Sequence, residues 1–331
     1  MEQEVRARVI TQEKGLYRLR CGEEERLAEV SGRFRYQALS PADYPAVGDY
    51  VTAVWPQDGS NATITGLFPR KSVFVRKAAG REVLEQVVAA NIDTVFVCMS
   101  LNNNFSLRRL ERYLATAWDS GAAPVVVLTK ADLCNDLPAR LAEVGSAAAG
   151  ADIVAVSSLT GDIAPVLPYL QPGRTVAFLG SSGVGKSTLI NRLLGREALA
   201  TAATGTDDKG RHTTTHRELL ALPCGAFVID TPGMRELGMW EHGAGIDSTF
   251  ADITDLTARC RFADCTHTRE PGCAVLAALQ DGTLDEERWA SYRKLKAESD
   301  FAAGEGEYLQ AKREKFKQIA KINKARGKQH S

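Results

Sequence analysis

The chain has 331 residues, of which 44% are hydrophobic and 25% charged, and its formal net charge is zero. That length allows two or three globular domains, and a neutral whole excludes global electrostatic steering toward nucleic acid, so any such binding must come from local patches. Met1 to Val9 is charged and lacks the apolar core of a signal peptide, and no apolar run approaches the roughly 20 residues that span a bilayer, so a cytoplasmic protein is expected.

Residues 1–75 read as a small β-barrel of the OB-fold kind. Val5, Ala7 and Val9 alternate with polar residues, as do Tyr17, Leu19 and Cys21, and Val47 to Val54 is rich in β-formers behind a turn signal. Arg33, Arg35, Arg70, Lys71, Arg76 and Lys77, with Phe34, Tyr36 and Phe74, either form a basic aromatic face for nucleic acid or belong to a solvated surface and a linker.

From about residue 85 strands and helices alternate. Thr94 to Met99 reads as a buried strand, and Leu107, Leu110, Leu114 and Ala117 recur at helical spacing before Gly121. Strands follow at Val125 to Leu128, Ile153 to Val156, Thr175 to Leu179, Glu218 to Leu222 and Phe227 to Ile229, with a helix over Lys186 to Leu194. The pattern predicts a doubly wound α/β sheet carrying its ligand loops at the carboxyl ends of the strands.

Those strand ends carry nucleotide chemistry. Gly180-Ser181-Ser182-Gly183-Val184-Gly185-Lys186-Ser187, with Thr188 next, is a phosphate-binding loop. Its glycines let backbone N–H groups wrap phosphates at a helix N-terminus, Lys186 is expected on the β- and γ-phosphates, and Ser187 on magnesium. Asp230-Thr231-Pro232-Gly233 is expected near the same magnesium, with the Gly233 N–H on the γ-phosphate. Thr129-Lys130-Ala131-Asp132 is a base-reading motif, because a carboxylate accepts both guanine N1–H and N2–H₂, a donor pair adenine lacks. Ser157 and Ser158 stand at the next strand end. An ordinary GTPase carries its base motif after the phosphate loop. Here it comes first with the cyclic order kept, which implies circular permutation.

Between the phosphate loop and Asp230 lies a natural switch, Arg211-His212-Thr213-Thr214-Thr215-His216. Thr214 and Thr215 are the candidates for sensing magnesium and the γ-phosphate. Met234 follows Gly233, where water-orienting GTPases carry glutamine, and a thioether cannot orient water. His212 is therefore the candidate catalytic group, since its titration range suits proton transfer, with Arg235 a weaker candidate for charge stabilisation.

After about residue 245 the pattern is mainly helical. Three of the seven cysteines cluster as Cys260-x₄-Cys265-x-His267-x₅-Cys273, matching a closed, structural zinc site with one ion per chain. Cys98 and Cys224 lie in or beside apolar runs and read as core residues. The tail from Ala311 to Lys328 holds eight Lys or Arg against Glu314.

Together these residues resemble the circularly permuted, ribosome small-subunit-dependent GTPase A family. The likeness also covers Ser31-Gly32-Arg33-Phe34-Arg35, Ala89-Ala90-Asn91-Ile92-Asp93, Met234-Arg235 and Glu270-Pro271-Gly272. It departs at Thr129, where the motif usually has Asn, and at Asn102-Asn103-Asn104-Phe105. The resemblance implies a multidomain protein: an OB-fold barrel (1–75), a permuted P-loop GTPase domain (76–242), and a mainly helical zinc-binding domain with a basic tail (243–331). It implies GTP hydrolysis with magnesium, stimulated by the small ribosomal subunit during its late maturation, contacts with rRNA, and a monomer off the particle. A nucleotide-regulated RNA-binding module with incidental hydrolysis is the alternative. The permutation also predicts a lever, because the second switch leads straight into the zinc domain.

Overall fold

A computed structural model describes residues 2–13, 15–77, 85–199, 217–230 and 244–304. The front of the chain forms β1 (Glu2–Glu13), β2 (Leu16–Cys21), β3 (Glu24–Val30), β4 (Tyr50–Pro56) and β5 (Ala62–Leu67). β1 pairs with β2 and β4, β3 pairs with β2 and, in parallel, with β5, and β5 pairs with β4, closing a five-stranded barrel in the OB order. The alternation seen in the sequence decides its inside. Ala7, Val9, Tyr17, Leu19, Val51, Ala53 and Ile64 fill the barrel core. Helix α1 (Gly32–Gln37) follows β3, and the Ser31 side chain caps it by accepting from the Phe34 N–H at 3.1 Å.

A hairpin of β6 (Val73–Lys77) and β7 (Glu85–Ala90) leads into the second sheet. Its strands are β8 (Thr94–Ser100), β9 (Ala123–Thr129), β10 (Asp152–Ala155), β11 (Thr175–Leu179), β12 (Glu218–Ala221) and β13 (Phe227–Asp230). They lie in the order β10-β9-β8-β11-β13-β12, parallel except for β12. The period of two sorts each strand between two faces. Val95, Val97 and Met99 pack under α2 (Leu107–Asp119) through Leu110, Leu114 and Ala117. Phe96 and Cys98 pack with Phe178 against Leu189, Ile190 and Leu193 of α4 (Lys186–Leu194). Each such fully buried leucine contributes about 1.5–3 kcal/mol, so both faces hold the sheet. Helix α3 (Leu137–Ala147), which the sequence reading did not mark, covers the far edge through Val144 and Ala147.

The barrel and this sheet are joined more closely than separate domains require. β1 also bridges β12, pairing Thr11 with Glu218, so among the described residues eleven strands form one continuous sheet. Beyond the sheet follow α5 (Ala244–Thr249), α6 (Ala251–Ala258), α7 (Ala274–Asp281) and α8 (286–304). They are seated on α2. A Cβ at Gly245 would lie 2.1 Å from the Ala115 carbonyl oxygen, so only glycine permits this approach. The Gly245 N–H donates to Asp119 at 2.6 Å, Arg112 forks onto Glu298 at 2.6 and 3.0 Å, and Arg288 bridges Glu111 of α2 to Asp252 at 2.9 and 2.7 Å.

Three sequence expectations are corrected. Cys224 is exposed, at the tight turn between β12 and β13, because the apolar run ends before it. Arg70 belongs to no surface patch: it forks onto fully buried Asp49 at 2.7 and 2.9 Å. Phe74 is core. Arg33, Arg35 and Tyr36 remain exposed on α1.

Candidate nucleotide site and metal centre

The chain runs outward from β8 through β9 to β10, then returns to place β11 on the other side of β8. The point where strand order reverses is the crevice in which open α/β sheets bind ligands. Here it lies between the carboxyl ends of β8 and β11, and the Gly180–Gly185 loop begins there. Gly180 has φ 149°, and a Cβ on it would lie 2.5 Å from the Cys98 carbonyl oxygen, so the loop leaves the sheet only through glycine. Burial pushes the Cys98 thiol up to about 12, which keeps it a neutral core residue. Lys186 folds back over the loop, donating to the Gly180 and Ser181 carbonyls at 2.7 and 2.6 Å. Val184 is buried, and Ser187 and Thr188 lie in the first turn of α4.

The base-motif residues sit directly against this loop. Buried Thr129, the last residue of β9, donates its hydroxyl to the Val184 carbonyl. Lys130 takes a left-handed φ of 58° and reaches the Gly183 carbonyl at 2.9 Å. Asp132 accepts from the Ser157 hydroxyl at 2.5 Å, and the Ser158 carbonyl accepts from Arg192 of α4 at 3.2 Å. The threonine that departs from the usual motif thus makes its bond to the loop backbone with one hydroxyl. The structure brings together Thr129, Lys130, Asp132, Ser157, Ser158 and the whole 180–188 segment. The Asp230 backbone ends β13, beside β11. His212, Thr214, Thr215, Gly233, Met234 and Arg235 lie outside the described residues.

Two neighbours escaped the sequence reading. Asn104 and Arg109, from the turn after β8 and the start of α2, approach the Ser181 hydroxyl at 3.4 and 3.3 Å, and Arg109 also holds the Asn104 side chain at 2.8 Å. Their signal was only positional: a helix start following a strand end beside the switch point.

The second cluster lies between α6 and α7. The ligand atoms of Cys260, Cys265, His267 and Cys273 all fall within 4.8 Å of one another. The His267 Nδ1 stands 3.5 Å from both the Cys260 and Cys273 sulfurs, which are 3.9 Å apart. A tetrahedral zinc with bonds of about 2.0–2.3 Å spaces its ligands at roughly 3.4–3.8 Å, so the donor set fits that ion. Cys273 also caps α7 by accepting from the Leu276 N–H at 3.4 Å, and Glu270 ties the loop by accepting from the N–H groups of Thr266, Thr268 and Arg269 at 2.9, 2.9 and 3.0 Å. The Thr266 hydroxyl, which also donates to this carboxylate, and then those N–H groups hold its carboxyl well below the usual range. His267 sits edge-on to Trp289, with ring centres 5.6 Å apart.

Strand order, phosphate loop and the preceding base motif define a circularly permuted P-loop GTPase. A family model described as RsgA GTPase matches residues 67–240. "Small ribosomal subunit biogenesis GTPase RsgA 2" of Lactiplantibacillus plantarum is 52% identical over 300 residues, 90% of this chain and 84% of that protein. The corresponding RsgA of Opitutus terrae is 48% identical over 97% of this chain and 91% of its own. Among solved structures, YjeQ from Thermotoga maritima superimposes with a TM-score of 0.68 at 27% identity, over 90% of this chain and 99% of that one. YloQ, described as a circularly permuted GTPase, gives 0.65 at 25%, over 90% and 96%. This chain belongs to the RsgA GTPase family.

Proposed function

We infer that the chain hydrolyses GTP as a biogenesis factor of the small ribosomal subunit, acting late in maturation and stimulated by the particle. The observation that carries the nucleotide half is the latch between base motif and phosphate loop: Thr129 on Val184 and Lys130 on Gly183 bring Asp132 and Lys186 to one crevice. The relatives' names support the ribosomal half.

In this reading Asp132, steadied by Ser157, accepts guanine N1–H and N2–H₂, and Ser158 closes the base pocket. The N–H groups of the loop from Gly180 through Ser181, Ser182, Gly183, Val184 and Gly185 to Thr188 surround the phosphates. Lys186 exchanges its two carbonyl partners for phosphate oxygens. Ser187, Asp230 and either Thr214 or Thr215 would hold magnesium, which supplies charge neutralisation at the phosphates. The Gly233 N–H meets the γ-phosphate, and His212 takes the proton from the attacking water. Cys260, Cys265, His267 and Cys273 hold one structural zinc. The molecule works as a cytoplasmic monomer built from units 1–75, 76–242 and 243–331. Its rRNA contacts come from the flanking units, where Arg33, Arg35 and Tyr36 are exposed. Hydrolysis by the full chain, measured with and without purified small subunits, tests this. Strong stimulation by the small subunit is expected, and equal rates in both conditions would overturn it.

A further inference from the structure

A cleft of about 390 Å³ lies where the barrel meets the amino-terminal ends of β8 and β11. Its charged lining is Arg6 and Arg8 of β1, Lys71 of the segment after the barrel, and Arg174 and Asp93 just before β11 and β8. Four cations face one carboxylate. Asp93 is engaged, taking Arg174 at 2.9 Å and the Thr175 N–H at 2.9 Å. Arg8 is only 7% exposed. Its guanidinium donates to the Thr175 hydroxyl at 2.5 Å and stands 5.0 Å from the ring centres of both Tyr50 and Phe227, yet its Nε has no acceptor among the described residues. Burial pushes this guanidinium down from its ordinary value. A buried cation short of acceptors costs free energy that an incoming anion would recover. Arg6 lies over Tyr50 at 4.2 Å, and among the described residues neither it nor Lys71 makes an ion pair.

We propose that this cleft is a second oxyanion site, which takes a phosphate group held by Arg6, Arg8 and Lys71 and joins the barrel to the GTPase sheet. It is separate from the nucleotide crevice. β11 rises from Thr175 in the cleft to Leu179 before the phosphate loop, so the two sites lie at opposite ends of one five-residue strand, about 15 Å apart. An anion here joins Arg6 and Arg8 of β1 to Lys71 and, through the bond from Arg8 to Thr175, to the amino-terminal end of β11, so its binding stiffens the joint between barrel and nucleotide sheet. The phosphate can come from a polynucleotide backbone or from free phosphate, and both present the same oxygens to the same cations.

The test uses the full chain loaded with GDP and magnesium, so that the phosphate loop is filled. Inorganic phosphate, pyrophosphate and a short single-stranded oligoribonucleotide are titrated separately, followed by the Arg8 Nε–H NMR signal, assigned through Arg8→Lys. A saturable shift of that signal is expected. The exposed-residue variant Arg6→Ala/Lys71→Ala should weaken it at least tenfold while leaving GDP affinity unchanged. Saturation by the free anions with no response to RNA assigns the site to free phosphate. A tighter, salt-sensitive response to the oligoribonucleotide that the double variant abolishes assigns it to a backbone phosphodiester. No saturable shift with any of the three probes, or a shift that the double variant leaves intact, overturns the proposal.

Discussion

At the scale of residues, the proposed base specificity rests on single side chains. Asp132 is steadied by Ser157 alone among the described side chains that hydrogen-bond to it, which leaves carboxylate capacity for a base. Asp132→Asn should weaken GTP binding by at least a hundredfold, since two charge-assisted hydrogen bonds contribute about 3 kcal/mol or more. It should improve xanthosine triphosphate binding, because xanthine offers a carbonyl where guanine offers an amine. Titration of both nucleotides decides this, and unchanged GTP affinity would refute the assignment. Thr129→Val keeps the shape of the buried residue but removes its hydroxyl from Val184. It should lower nucleotide affinity several-fold, about 1 kcal/mol for one lost buried hydrogen bond, without changing the preference for guanine over adenine. His212→Ala should reduce subunit-stimulated turnover by roughly 10² to 10⁴, the usual contribution of a general base, with GTP affinity nearly unchanged. Single-turnover hydrolysis on the particle is the measurement, and surviving turnover would make His212 a bystander.

At the scale of elements, the proposed zinc would hold the stretch from α6 to α7 together. The loop between them is built from polar turns, with Cys273 as the helix cap, and its apolar support comes from Ile253, Val275 and neighbours. Zinc binding contributes folding free energy directly in such small units. Cys265→Ser should therefore lose the metal and loosen 251–281, while GTP binding persists, because no residue of the nucleotide crevice lies in that stretch. Elemental analysis, hydrogen exchange and nucleotide titration read the three effects separately. Retention of one zinc per chain would count against the ligand set.

Across the whole molecule, α2 connects the two clusters. Its start touches Ser181 through Arg109, and its opposite flank carries Glu111 and Arg112 to Arg288 and Glu298. The expected lever would run through 231–243, which lies outside the described residues; β13 ends before that stretch, and α5, tied to α2 through Gly245, begins after it. Glu111 is 3% exposed and holds both Arg288 and Ser291. Glu111→Ala should leave that arginine with Asp252 as its remaining ion-pair partner and lower stability by about 3 kcal/mol, the lower end for breaking a buried pair. Thermal unfolding and amide exchange across α8 should report it, and an unchanged exchange pattern would dissociate α8 docking from Glu111.

The sequence by itself determined the pieces and the family they belong to. Phosphate loop, base motif and cysteine–histidine spacing are local patterns whose geometry follows from a few adjacent residues, and the strands that bear the first two are near-continuous apolar runs, buried throughout in β11 and at all but the first residue in β9. Motif order alone disclosed the permutation. Only the tertiary structure decided what distant residues do to one another. Arg70 and Phe74 look like surface residues locally, but Asp49 and the packing of the β6–β7 hairpin bury them. Cys224 looks like core, but the turn before β13 exposes it. The bond from Thr129 to Val184 spans 55 positions, and the joining of β1 to β12 spans more than two hundred. Such contacts depend on which strand edges and helix faces meet after the chain closes, and no sequence period records that.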